Sequence, residues 1–165
     1  PGLSSDTYAF HLLSKIFADG KSSRLHKALI DPGLATSLFM YDFPFKDNGL
    51  FITYAFLNPG ENHKNIEDII LSNYSDIIEN GVTNDEIKRA KAQTKATVAF
   101  SRDGSYSVAS AINEALAIGD WTFYTTFLEK INSVSKKDIM KIAQNYLIDK
   151  YKTTGWFISS NNGNI

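Results

Sequence analysis

Apolar side chains recur at Ala9, Leu12, Leu13, Ile16 and Phe17, the spacing of one face of an amphipathic helix. Ser4 and Ser5 offer N-caps, Asp6 adds a favourable first-turn charge, and Asp19-Gly20 ends the run. Ser22 or Ser23 caps a second, short helix carrying Leu25 and Leu29 one turn apart, stopped by Pro32-Gly33. The period then changes from that of a helix to that of a strand. From Leu34 to Phe43, Ala35, Ser37, Phe39 and Tyr41 share one face. From Leu50 to Leu57, Leu50, Ile52, Tyr54 and Phe56 do the same. Phe45-Lys46-Asp47-Asn48-Gly49 between them predicts a hairpin connection with Asn-Gly turn chemistry, joining two half-buried antiparallel strands.

Helical spacing returns with Ile66, Ile69, Ile70, Tyr74, Ile77 and Ile78, closed by Gly81. Thr83-Asn84-Asp85-Glu86 is a capping box that opens a helix to about Phe100, and Arg102-Asp103-Gly104 breaks it. Two further helical stretches carry Val108, Ala111, Ile112, Ala115 and Leu116, then Phe123, Phe127, Leu128 and Ile131. Ser135-Lys136-Lys137-Asp138 starts a last helix through Ile139, Ile142, Ala143, Tyr146 and Leu147. Thr153 to Ser159 reads as a closing strand, and Asn161-Asn162-Gly163-Asn164 as a polar end. The order predicts an α+β fold over residues 1–165 as a single domain, an antiparallel or mixed sheet with helices packed on one face. Three strands under so many helices make a thin sheet, which predicts a further strand just before Pro1. The start Pro1-Gly2-Leu3-Ser4, without an initiator Met, predicts a piece excised from a longer chain.

Composition narrows the function classes. The 165 residues suffice for one core without staples. A formal net charge of -1 gives no electrostatic footprint for nucleic acid. No apolar run approaches the roughly 20 residues of a membrane span, and the N-terminal residues have no signal-peptide pattern. The absence of cysteine excludes thiolate catalysis and Cys-type zinc sites. It fits bacterial periplasm or cytoplasm equally and leaves the compartment open.

No self-contained active site emerges from the residue types. The three histidines are His11, His26 and His63. The first two have no ligand partner nearby, and His63 has only Glu67 one turn on, which suits a solvated helix start better than a metal site. There is no G-x-S-x-G elbow for a serine nucleophile. Gly20-Lys21-Ser22 lacks the earlier glycine of a phosphate loop and follows a helix rather than a strand. Lys88-Arg89-Ala90-Lys91 with Lys95 reads as a solvated basic face balanced by Asp85 and Glu86. Trp121, Phe123, Tyr124 and Phe127 suit a core or a domain contact. Tyr41, Phe43 and Phe45 suit core packing better than a partner surface.

A series of short motifs supplies what these residue types do not. Pro1-Gly2, Ser5-Asp6-x-Tyr8-Ala9, Gly20-Lys21-Ser22-Ser23-Arg24-Leu25, Gly33-Leu34-Ala35, Asn48-Gly49-Leu50-Phe51, Gly81-Val82-Thr83-x-x-Glu86-Ile87-x-x-Ala90-Lys91 and Val134-Ser135-x-x-Asp138-Ile139 occur in that order. In this order and spacing the chain resembles the second, C-terminal domain of the insulinase/pitrilysin-type zinc metallopeptidases, in a bacterial-type member.

The resemblance implies an α+β half with helices on one side of the sheet. It also implies a parent that hydrolyses peptides with zinc inside a closed chamber. The zinc ligands and base would lie upstream, on an H-x-x-E-H helix of a first domain, and this second domain would be a catalytically silent, chamber-forming wall. Zinc is thus expected in the parent and none in this fragment, which alone is predicted inactive. Many members carry a second-domain arginine, and seven residues later a tyrosine, that reach the substrate. Here those positions fall at Leu29 or Ile30 and at Thr36. None offers a guanidinium or a phenol. The implied partners are the zinc-bearing first domain, a second family subunit carrying the arginine–tyrosine pair, and a peptide substrate, with no nucleic acid and no membrane span. Two other functions remain open: a catalytically inactive structural or assembly subunit of the same family, and a peptide-binding module offering a strand edge.

Overall fold

Helix α1, Asp6–Ala18, is the axis around which the rest packs. The computed structural model describes residues 1–158. Ala9, Leu12, Leu13, Ile16 and Phe17 form one α1 face and are essentially sealed from solvent. Each of the four larger side chains contributes about 2 kcal/mol of burial. Around them close Leu25, Met40, Ile77, Val82, Ala90, Ile131, Val134, Ile139, Ile142 and Ala143, drawn from nearly every other element.

Strands β1, Ala35–Phe43, and β2, Leu50–Leu57, form an antiparallel pair. Helices α2 (His63–Asn80), α3 (Asn84–Ser101), α4 (Ser105–Ile118), α5 (Thr122–Ser133) and α6 (Lys136–Tyr146) follow. Their ends are chemically specified. Asn62 accepts from the backbone N–H groups of Lys64 and Asn65. Thr83 with Glu86, and Ser135 with Asp138, close reciprocal capping boxes. Gly20 and Gly81 take the positive φ that ends α1 and α2, at 79° and 71°.

Three expectations from the sequence need correcting. The short helix after Ser23 becomes a π-helical turn, His26–Ile30, in which Asp31 N–H donates to the His26 carbonyl five residues back. The wider turn separates its two leucines: Leu25 joins the main core, and Leu29 joins a smaller cluster with Ala35 and Ile66. Gly49 is absent from the residues with positive φ, so the hairpin does not use Asn-Gly turn geometry. Glycine is required there for space instead, because a Cβ would lie 2.5 Å from the Phe43 carbonyl oxygen. Finally, among the described residues Thr153–Ile158 pairs with no strand, and the sheet has two strands, not three. The segment lies against the start of α2, where Thr154 Oγ1 donates to Glu67 Oε1 at 2.9 Å and the Phe157 carbonyl meets His63 Nε2 at 3.3 Å. Ser159 and the Asn161–Asn164 end fall outside the described residues.

Candidate functional site

The Gly20–Arg24 turn is clamped onto α3. Gln93 Nε2 donates to the Asp19 carbonyl, and a Cβ on Gly20 would come within 3.2 Å of that nitrogen. Arg24 forms a bidentate pair with Glu86, Nε to Oε1 at 2.7 Å and Nη2 to Oε2 at 3.0 Å. It also bonds Asp76 and the Gly81 carbonyl. Burial alone would raise the Glu86 carboxyl. The hydrogen bonds from Arg24 and from the Thr83 N–H, with the Arg24 charge, outweigh burial and hold it at about 2. Arg24 therefore joins the first turn to the α2–α3 junction, and its donors are spent on that joint.

Leu29, Ile30 and Thr36, where the resemblance leads one to expect an arginine and a tyrosine, lie just beyond. Leu29 is fully buried, and Ile30 packs on the same small cluster. Thr36 is exposed, and its hydroxyl donates to the Phe56 carbonyl at 3.0 Å. A break in strand register sits between Ala35 and Ser37.

The histidines do not converge. His11 Nδ1 lies 3.3 Å from Asp42 Oδ2, joining α1 to β1. His26 Nδ1 lies 3.1 Å from Asp31 within the π-helical turn. His63 packs at a tilt against Trp156, with ring centroids 5.9 Å apart. A catalytic zinc takes three protein ligands. Among the described residues no group of three or more His, Asp or Glu could hold a metal ion, so these donors do not fit zinc. Ser14 Oγ donates to the His11 backbone carbonyl at 2.8 Å, with Asp42 Oδ1 farther off at 3.4 Å, and does not reach the His11 imidazole. With its proton on a backbone carbonyl and no imidazole on its hydroxyl, this Ser–His–Asp grouping is not a nucleophilic triad.

Lys91 is not the solvated cation that the sequence predicts. Its Nζ donates to the carbonyls of Asn132 and Val134, where α5 ends. Trp121 is exposed, whereas Phe123 stacks on Tyr8 and Phe127 packs against it at a tilt.

The largest correction concerns the sheet. Leu38, Met40 and Asp42 of β1, with Phe51, Thr53 and Ala55 of β2, face the helices. Asp42 lies 3.3 Å from His11 Nδ1, and Thr53 bonds Tyr74 Oη at 2.6 Å. Burial pushes the Tyr74 phenol up to about 12, although its bond with Thr53 opposes this. The opposite face carries Phe39 across from Tyr54, Tyr41 across from Ile52, and Phe43 across from Leu50. Tyr41, Phe43 and Phe45 are therefore exposed rather than in the core, because strand alternation turns the first two away from α1 and Phe45 lies in the connection. Seven large apolar side chains there, Phe39, Tyr41, Phe43, Phe45, Leu50, Tyr54 and Phe56, are 38% to 57% exposed. The alternation was visible in the sequence. Which face looks outward was not, since the outward face is the more apolar of the two.

Residues 1–94 match the model of the Peptidase M16 inactive domain. The chain belongs to this family. The domain is 29% identical over 142 residues to an uncharacterized zinc protease of Streptomyces coelicolor, covering 85% of this chain and 31% of that protein. It is 30% identical over 132 residues to the mitochondrial-processing peptidase subunit beta of Lentinula edodes, covering 78% of this chain and 28% of that one. The crystallised inactive peptidase domain from Bordetella parapertussis shares its fold, with a TM-score of 0.88 at 24% identity over 99% of this chain and 88% of that one. The chain spans about a third of the length of the curated relatives it matches.

Proposed function

We propose that this inactive domain is the second, non-catalytic half of a longer zinc-dependent peptidase and forms part of the wall of the chamber in which peptides are hydrolysed. The observation that carries the reading is the match to an inactive peptidase domain in a chain whose own histidines do not converge on a metal site. The zinc and its H-x-x-E-H helix belong to a first domain of the same chain. The helices form the outside of the wall, and the open sheet face its inside.

Substrate clamping falls to another subunit. Leu29 and Ile30 are committed to packing and the Thr36 hydroxyl to a strand carbonyl, which leaves no cation or phenol at the positions aligned with the arginine–tyrosine pair. One relative is itself named as a subunit of a processing peptidase, which supports a paired arrangement.

The test is zinc content and peptide cleavage by the full-length protein beside the isolated domain. The reading predicts bound zinc and chelator-sensitive cleavage by the full-length protein with its partner, and no cleavage by the domain alone. A full-length protein without H-x-x-E-H and without zinc would overturn it and leave a scaffold subunit. Cleavage by the isolated domain would overturn it from the other side.

A further inference from the structure

The open face of the β1–β2 sheet is built as a flat aromatic ladder. Along β1 and into the connection, Phe39, Tyr41, Phe43 and Phe45 follow one another with ring centroids 6.3, 5.6 and 6.2 Å apart. Phe56 meets Phe39 edge-on, and Tyr54 meets Tyr41 the same way. None of the outward residues from Ser37 to Phe43 or from Leu50 to Phe56 carries a charge. None of these rings belongs to either buried cluster.

We infer that this face is a binding site for extended, uncharged peptide segments rich in aromatic and aliphatic side chains. The inference deepens the proposed chamber-wall role and rests on it for the source of the peptide. Three physical arguments favour a peptide.

The first is repeat length. An extended chain repeats its side chains every two residues, about 6.6 Å. A peptide laid along β1 therefore seats alternate side chains between successive rings over about six residues.

The second is charge. A face without ionic groups gives a charged segment nothing to replace its hydration, which disfavours it by desolvation. An apolar segment loses water favourably there, and Tyr41 and Tyr54 add phenol hydroxyls for its backbone.

The third is area. Seven half-exposed side chains, mostly aromatic, present on the order of 600 Å². That is below the roughly 800 Å² per partner of a stable protein–protein interface, so a second copy is the poorer occupant.

The domain can be tested by itself, since a relative's inactive domain of comparable length crystallised as such. The probe is a fluorescein-labelled ten-residue peptide alternating phenylalanine and serine, compared by anisotropy with one carrying glutamate in place of phenylalanine. Binding to the phenylalanine peptide is expected to be at least tenfold tighter. The paired substitution Tyr41→Thr with Tyr54→Thr is expected to weaken it at least tenfold while the urea midpoint stays in place. Phe39→Lys, a second exposed change, is expected to do the same.

Equal affinity of wild type and both variants would overturn the inference. So would a wild-type domain that sediments as a dimer while the variants are monomeric, which would give the face to a second copy. The two readings fail separately. Peptide binding by a protein without zinc keeps this site and removes the peptidase. Zinc-dependent cleavage of the phenylalanine peptide that is indifferent to all three substitutions does the reverse.

Discussion

The two faces of one hairpin invert the usual order of burial. Against the helices sit Asp42 and Thr53 beside Leu38, Met40, Phe51 and Ala55, with Asp42 3.3 Å from His11 Nδ1 and Thr53 bonded to Tyr74. Toward solvent sit Phe39, Tyr41, Phe43, Leu50, Tyr54 and Phe56. A sheet selected for stability alone would bury the aromatics and expose the aspartate. The inward face is stabilised by packing on α1 and by the Thr53–Tyr74 hydrogen bond. The outward face lies outside both buried clusters, and the peptide site proposed above gives its apolar character an occupant.

Substitutions on the two sides should therefore separate in magnitude. The largest effect is expected beneath the inner face. Leu13→Ala, within the sealed α1 stripe, should cost about 3 kcal/mol in urea unfolding.

Next comes the joint that holds the helical layer together. Arg24→Ala should cost about 2 to 3 kcal/mol by leaving Glu86 and Asp76 without their cation. This effect depends on pH. The folded Glu86 titrates near 2, below the ordinary value of 4.5, so its contribution is complete above about 4.5 and is lost as pH falls toward 2. Wild type and Arg24→Ala should converge in stability across that acid window.

Tyr74→Phe should cost about 1 kcal/mol, the worth of the bond to Thr53 on the inner face. The smallest change is expected outside: Tyr41→Thr with Tyr54→Thr should shift stability by about 0.5 kcal/mol or less. A loss on the outer face as large as that of Leu13→Ala would break the contrast.

Much of the fold was legible because it depends on local signals. The Ala9–Phe17 stripe, the Thr83–Glu86 capping box and the glycines at 20 and 81 each fix an element without reference to its neighbours. What escaped depends on tertiary partners. The orientation of the hairpin depends on what the helices present to its inner face, including His11 beside Asp42, and period alone cannot say which of two apolar faces will be covered. Thr153–Ile158 has the composition of a strand, yet its described neighbours are the first turns of α2 rather than a sheet edge. The Arg24 motif was legible as a family turn. Its partners Asp76 and Glu86, more than fifty residues away, were not.

The most direct measurement is hydroxyl-radical footprinting of Tyr41 and Tyr54 in the full-length protein, with and without a saturating phenylalanine-rich peptide. An inner chamber wall predicts that both rings are modified in the absence of peptide and protected in its presence, while Tyr74 is spared throughout. Rings already protected without peptide, or modified equally with it, would contradict the claim that this face is kept open for substrate.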